Sequence, residues 1–124
     1  MATANDYPAR DLDLVTCFDL LHDLGDPVGA ATHIHRSLKP DGTWMLMEPL
    51  AGDATEENLG PRGRIAYAIS TMACVPASLS QEVGMALGAQ AGQRQLTEVI
   101  RAGGFSRVRR AAETPLNMIL EARH

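Results

Sequence analysis

The chain has 124 residues, of which 45% are hydrophobic and 21% charged, with a formal net charge of −4. That length allows one domain at most, and the composition excludes a disordered chain. The acidic balance argues against nucleic-acid binding, which favours a basic face.

Residues 1–10 are polar and contain Pro8, so they read as a loose lead-in. The sequence MATANDYPARD has no apolar stretch of signal-peptide type. No run reaches the roughly 18 apolar residues of a membrane span, so the expected compartment is cytoplasmic and no membrane contact is expected. Leu12–Phe18 is a largely apolar run, as in a parallel strand covered on both faces. Cys17 within it reads as a small buried thiol. Cys17 and Cys74 are the only cysteines, and neither number nor spacing suggests a disulfide framework or a zinc site.

Asp26-Pro27 is a helix start, with Asp as N-cap and Pro in the first helical position. Val28, Ala31, Ile34 and Leu38 follow at helical spacing. Pro40-Asp41-Gly42 predicts a turn, and Trp44–Met47 a second buried strand. The whole is a strand–helix–strand unit, whose crossover between parallel strands should be right-handed. His33 and His35 stand two apart on the helix, so they share no face and form no metal pair; both read as solvent-exposed.

Residues 50–61 read as a polar loop. Residues 62–92 are rich in alanine, methionine, serine and glycine, and predict two helices, about Gly63–Cys74 and Leu79–Leu87, interrupted at Pro76. Ser78 or Ala77 lies near the second start. Their methionines read as an ordinary helical cap or as an adaptable binding surface. Gln93–Ala102 predicts a helix with Leu96, Val99 and Ile100 on one side, ended by Gly103-Gly104. Ser106–Glu113 predicts a half-exposed strand with Arg107, Arg109 and Arg110 on a solvated face. Asn117–Ala122 predicts a last strand, and His124 a disordered end.

The turn after the first strand carries Asp19, His22 and Asp23, at the strand end where open α/β sheets bind ligands. Here the residues resemble a known family. LKPDGTWMLMEP is close to the turn and fifth strand of class I S-adenosylmethionine-dependent methyltransferases, particularly the small-molecule O-methyltransferases. Asp11–Phe18 is similar to the family's fourth strand, IRAGGFSRVRR to the helix end and sixth strand, and NMILEARH to the seventh, antiparallel one. The resemblance covers about residues 11–124 and implies an α/β, partial Rossmann-like fold of fourth to seventh strands, mostly parallel with one antiparallel strand. Residues 62–92 would be a helical insertion in it.

LLHDLGDP is similar to the segment after the family's fourth strand. The resemblance implies that His22 is the general base on a substrate hydroxyl, Asp23 the acidic residue after it, and Glu48 the carboxylate orienting the histidine. It further implies that Phe18 and Asp19 face the cofactor, S-adenosylmethionine; from the cysteine and histidine spacing no metal is expected. The chemistry is sensible: a phenol-like hydroxyl of pKa about 10 needs a base, and an imidazole of pKa about 6.5 is largely neutral near neutral pH. A carboxylate can fix its tautomer.

The pattern departs from the family in four places. No GxGxG loop stands in these residues, and the only adjacent glycines, Gly103-Gly104, follow a helix. The acidic residue for the cofactor ribose is missing. Gln90 or Gln93 stands where some members place a further acid, and Leu24 where a bulky aromatic is common. The expectation is therefore a methyltransferase half-domain without the cofactor loop, in a truncated form whose relatives methylate small-molecule hydroxyls. Two other readings stand beside it: a non-catalytic interaction remnant and a small ligand-binding module. The family's first strand, which pairs with the fourth, is also missing, so Leu12–Phe18 should be an open edge that invites a homodimer or a partner chain.

Overall fold

The computed structural model describes residues 3–124. Met1 and Ala2 of the expected lead-in lie outside the described residues. Four strands form one sheet in the order β1-β2-β4-β3. β1 (Leu12–Phe18) runs parallel to β2 (Leu38–Pro49). β4 (Asn117–Arg123) runs antiparallel to β2 and to β3 (Arg107–Glu113). One strand therefore opposes the other three, as expected from the resemblance.

The crossover helix α1 (Pro27–Ser37) starts as its sequence dictates. The Asp26 carboxylate accepts the Gly29 N–H at 2.8 Å, satisfying one of the donors a helix start leaves free. The helix stops one residue earlier than its apolar spacing suggested, because Leu38 already has extended backbone. The expected turn at Pro40-Asp41-Gly42 lies inside β2 as an irregularity: Leu12 pairs with Leu38, but Leu14 pairs with Thr43.

β2 then alternates, with Trp44, Leu46 and Glu48 buried between half-buried neighbours. Trp44, Leu46, Met118 and Leu120 pack with Ile34 of α1 and with Leu96 and Ile100 of α4 (Gln93–Ala102). This is the main core. At the end of α4, a Cβ on Gly103 would lie 2.4 Å from the Ala31 side chain, so only glycine lets α4 approach α1 this closely. Gly104, at φ +111, takes the left-handed turn that leads into β3.

β1 departs from expectation. Of its residues only Cys17 is buried, while Leu14 and Phe18 are more than half exposed. An apolar strand is covered on both sides only where neighbours exist, and among the described residues β1 pairs with β2 alone. The open edge expected at Leu12–Phe18 is present. Cys17 behaves as predicted and accepts the Trp44 indole N–H at 3.4 Å.

The region 62–92 also departs from expectation. One helical rod runs through α2 (Pro61–Ile69), a π-helical stretch Ser70–Cys74 and α3 (Val75–Leu79). Pro76 does not break it. Proline is tolerated in a first turn, and the wider π turn just before it re-routes the backbone bonds, with Val75 N–H reaching Ser70 O. The second expected helix, Leu79–Leu87, does not form. Gly84 and Ala86 there both have positive φ, as does Gly88 just beyond, incompatible with a right-handed helix. Met72 is 83% exposed, so it is not core of a helical cap.

Three histidine expectations are corrected. His33 is half-buried, its Nε2 lying 2.8 Å from Tyr7 O. His35 is half-buried against Phe105 and His124, so it is not solvent-exposed and His124 is not a disordered end. Tyr7 anchors the lead-in, its hydroxyl 2.7 Å from Ser37 Oγ. Arg107 and Arg109 of β3 face solvent, where Arg109 pairs with Glu121; Arg110 does not, being half-buried against Gln93 of α4 while it pairs with Glu113.

Candidate active site

The site is built at the carboxyl ends of β1 and β2. β1 ends at Phe18, and Asp19 takes positive φ (46°), a conformation Asp adopts more readily than most residues. Asp19 N–H donates to Met47 O at 2.8 Å, which fixes the turn to β2. The next two amides, of Leu20 and Leu21, donate to Glu48 Oε1 at 3.3 and 2.8 Å. A 3-10 turn, Leu21–Asp23, follows and brings His22 over the other oxygen of the same carboxylate. His22 Nδ1 lies 2.6 Å from Glu48 Oε2. Glu48 is fully buried and His22 is 5% exposed.

The pairing sets the tautomer. With Nδ1–H donating to Glu48, the free lone pair sits on Nε2. Nε2 stands 3.2 Å from Asp23 Oδ1, an oxygen that is buried and accepts no hydrogen bond. Burial works most strongly against charge on His22. The Glu48 hydrogen bond and the charges of Glu48, Asp23 and Asp19 outweigh it together, so the pKa is raised above the ordinary imidazole value.

A strap from residues 78–88 holds this turn from outside. Gly88 N–H donates to His22 O, Gln81 Nε2–H to Asp23 O, and Ser78 Oγ–H to Leu24 O. Gln81 Oε1 also accepts Gly25 N–H at 2.8 Å. Nothing in the local sequence announced these contacts. Cys74, at the end of the π stretch, was likewise missed as a site residue: it joins His22 and Asp23 in a cluster whose ligand atoms lie within 4.8 Å of one another. Burial, and then the neighbouring Asp23 carboxylate, push its thiol up to about 11, so it is a neutral thiol near neutral pH.

His22, Asp19 and Cys74 share a cavity of about 260 Å³ whose remaining wall is mostly apolar, including Ile65, Ile69 and Leu116. The structure thus brings together His22, Asp23 and Glu48, with Asp19 at the cavity's edge. Phe18 ends β1 directly before Asp19, with its side chain more than half exposed. Neither Gln90 nor Gln93 lines that cavity: Gln90 Nε2–H donates to Leu87 O at 3.1 Å and Gln93 Oε1 accepts from Arg110 Nε at 2.8 Å.

A sequence profile described as a methyltransferase domain matches residues 2–97. The chain belongs to the methyltransferase-domain family. No curated protein matches this methyltransferase chain. Solved structures do. A structure described as PigF with SAH has a TM-score of 0.70 and 17% identity, covering 99% of this chain and 34% of the other. A putative O-methyltransferase from Nostoc punctiforme has a TM-score of 0.66 and 16% identity, covering 98% and 35%. NcsB1, an O-methyltransferase from neocarzinostatin biosynthesis solved with S-adenosyl-L-homocysteine and 1,4-dihydroxy-2-naphthoic acid, has 0.66 and 19%, covering 98% and 32%. These likenesses show the fold, that of a partial Rossmann-like methyltransferase domain. The methyltransferase chain spans about a third of the length of the structures it matches.

The residues present meet only part of what S-adenosylmethionine needs. Phe18 and Asp19 stand at the strand end, but the 124 residues contain no glycine-rich loop for close backbone approach. They do not complete a cofactor site, and no step through the cofactor follows from them. No helix of the described residues is long and apolar enough to cross a membrane.

Proposed function

We propose that this chain is the base-bearing half of an S-adenosylmethionine-dependent O-methyltransferase acting on a small molecule. The observation that carries the reading is the buried His22–Glu48 pair, with Nε2 left free beside an apolar cavity. The cofactor would supply an electrophilic methyl group; this chain supplies the proton acceptor. Nε2 of His22 takes the proton of a substrate hydroxyl as its oxygen becomes a nucleophile. The imidazolium that forms has N–H groups on both nitrogens. Glu48 already accepts one, and Asp23 Oδ1 stands ready for the other. Burial strengthens the Glu48 interaction, while the Asp23 side chain, 42% exposed, adds a more screened one.

The cavity's apolar wall suits a compact ring-bearing alcohol or phenol rather than a highly charged substrate. At about 260 Å³ it lies just below the usual range for ligand pockets, roughly 300–1,000 Å³. A cytoplasmic location belongs to this reading, and two buried free cysteines accord with it. A partner role is favoured by a separate observation: Met72 and Leu79 lie exposed on the helical rod, and β1 is an open edge. Such surfaces suit a second protein chain.

The test is turnover of the chain supplied with a loop-bearing first half of the fold. His22→Ala should lower kcat by about 10²–10⁴-fold with a much smaller change in KM. An unchanged kcat, with chemistry shown to limit the rate, would assign His22 to the turn alone.

A further inference from the structure

We infer that His22, Asp23 and Cys74 form a binding site for a borderline-soft divalent cation of the zinc type, and that its occupancy shuts off the base. The three side chains come from the 3-10 turn and from the π stretch, and their ligand atoms lie within 4.8 Å of one another. His22 Nε2 and Asp23 Oδ1 are 3.2 Å apart, close to the spacing of two ligands that each reach zinc at about 2.0–2.2 Å in a tetrahedral shell. A nitrogen, a thiolate and a carboxylate oxygen suit zinc or cobalt and do not suit magnesium or calcium.

Two further observations fit a cation. The Asp23 Oδ1 atom is itself buried without a well-formed hydrogen bond, with His22 Nε2 at 3.2 Å as its near neighbour, and a buried oxygen of this kind is one that an ion or water ordinarily satisfies. Behind His22, Glu48 holds Nδ1 at 2.6 Å. A ligating histidine commonly donates its other ring N–H to a carboxylate in this way, which orients the ring and raises its basicity. His22 and Cys74 also line the cavity that holds Ile65 and Ile69, space from which a water would complete the coordination of a bound ion.

Binding involves no change of oxidation state. The Cys74 thiol gives its proton to solvent, and the sulfur lone pair goes to the metal. The Nε2 lone pair is taken in the same event, so a loaded site cannot accept a substrate proton. The inhibitory consequence rests on the reading of His22 as base; the metal site itself does not.

Cobalt(II) titration of the unaltered chain tests the site without any activity assay. The expected result is one equivalent bound, with the visible bands of a tetrahedral ion and a thiolate-to-cobalt charge-transfer band. Cys74→Ser should abolish the charge-transfer band, Cys17→Ala should keep it, and Glu48→Gln should weaken binding by about 10–100-fold. Should Cys74→Ser fail to fold, cadmium NMR of the unaltered chain reads the number of sulfur ligands, and one is expected. No binding, a band that survives Cys74→Ser in a folded chain, or a cadmium shift for no sulfur or two would overturn the site. Such a failure would leave the base reading standing, whereas unchanged turnover in His22→Ala would remove the inhibition and leave the metal site.

Discussion

The backbone N–H of Leu21 and the side chain of Glu48 meet at 2.8 Å, inside the protein, on the carboxylate oxygen that does not face His22. Glu48 thus has one oxygen committed to backbone, with Leu20 N–H also on it at 3.3 Å, and one to the imidazole. The turn and the histidine are held by the same buried group. This explains how a short loop can keep a ring in one orientation: freeing either oxygen would leave a buried polar group unpaired, at a cost of about 1–3 kcal/mol or more for a charged one.

Glu48→Gln removes the charge and keeps a group of similar shape. The Oε1 role can survive, because an amide oxygen still accepts from Leu21. The support for imidazolium is lost, while burial, the strongest influence on His22 and one that lowers its pKa, stays. The His22 pKa should therefore fall relative to the unaltered chain. Proton NMR titration of the imidazole measures it, and an unmoved titration curve would show that Glu48 does not control the ring.

The same raised pKa ties stability to pH. A histidine whose pKa is higher folded than unfolded binds its proton more tightly in the native state. Its contribution is fully present below the unfolded value, about 6.5, and is lost as pH rises through the folded value. Urea denaturation at a series of pH values should show stability declining across that window, with a shallower decline in His22→Asn. Equal slopes in the two proteins would contradict the coupling.

The open edge of β1 predicts self-association of the isolated chain. Leu14 and Phe18 are exposed, and the outer backbone groups of Leu12–Phe18 have no strand partner among the described residues. Sedimentation at micromolar concentration should show a dimer or larger species. Thr16→Lys, which adds a charge to the exposed edge, should shift it toward monomer. A monomer with fast-exchanging amides along Leu12–Phe18 would show that the edge tolerates solvent.

Cofactor affinity offers a fourth check. With Phe18 and Asp19 but no glycine-rich loop among the 124 residues, the chain by itself should bind S-adenosylmethionine weakly or not at all in calorimetry. A dissociation constant near 1 μM, roughly −8 kcal/mol, would mean that the strand end carries far more of the recognition than the proposed half-site allows.

The amino-acid order alone determined the strand–helix–strand unit, the α4 helix with its glycine stop, and the last two strands. It also pointed to His22, Asp23 and Glu48. The elements and the turn bearing His22 and Asp23 rest on local rules: Asp26-Pro27 begins a helix, Gly103-Gly104 ends one, and a turn residue after a parallel strand sits where ligands bind; the roles of His22 and Glu48 come from the family resemblance instead. What tertiary structure decided depends on partners distant in sequence. β1 reads as a buried strand but lies open, because burial depends on neighbours that its own residues cannot supply. The segment after Leu79 reads as a helix but becomes a strap, because Gln81 bonds backbone groups of the His22 turn and Ala86 N–H closes back onto Ser78 Oγ of α3. Cys74 gave no signal at all. Only the π stretch of the helical rod brings its sulfur beside His22 and Asp23, and no local pattern of apolar residues encodes that meeting.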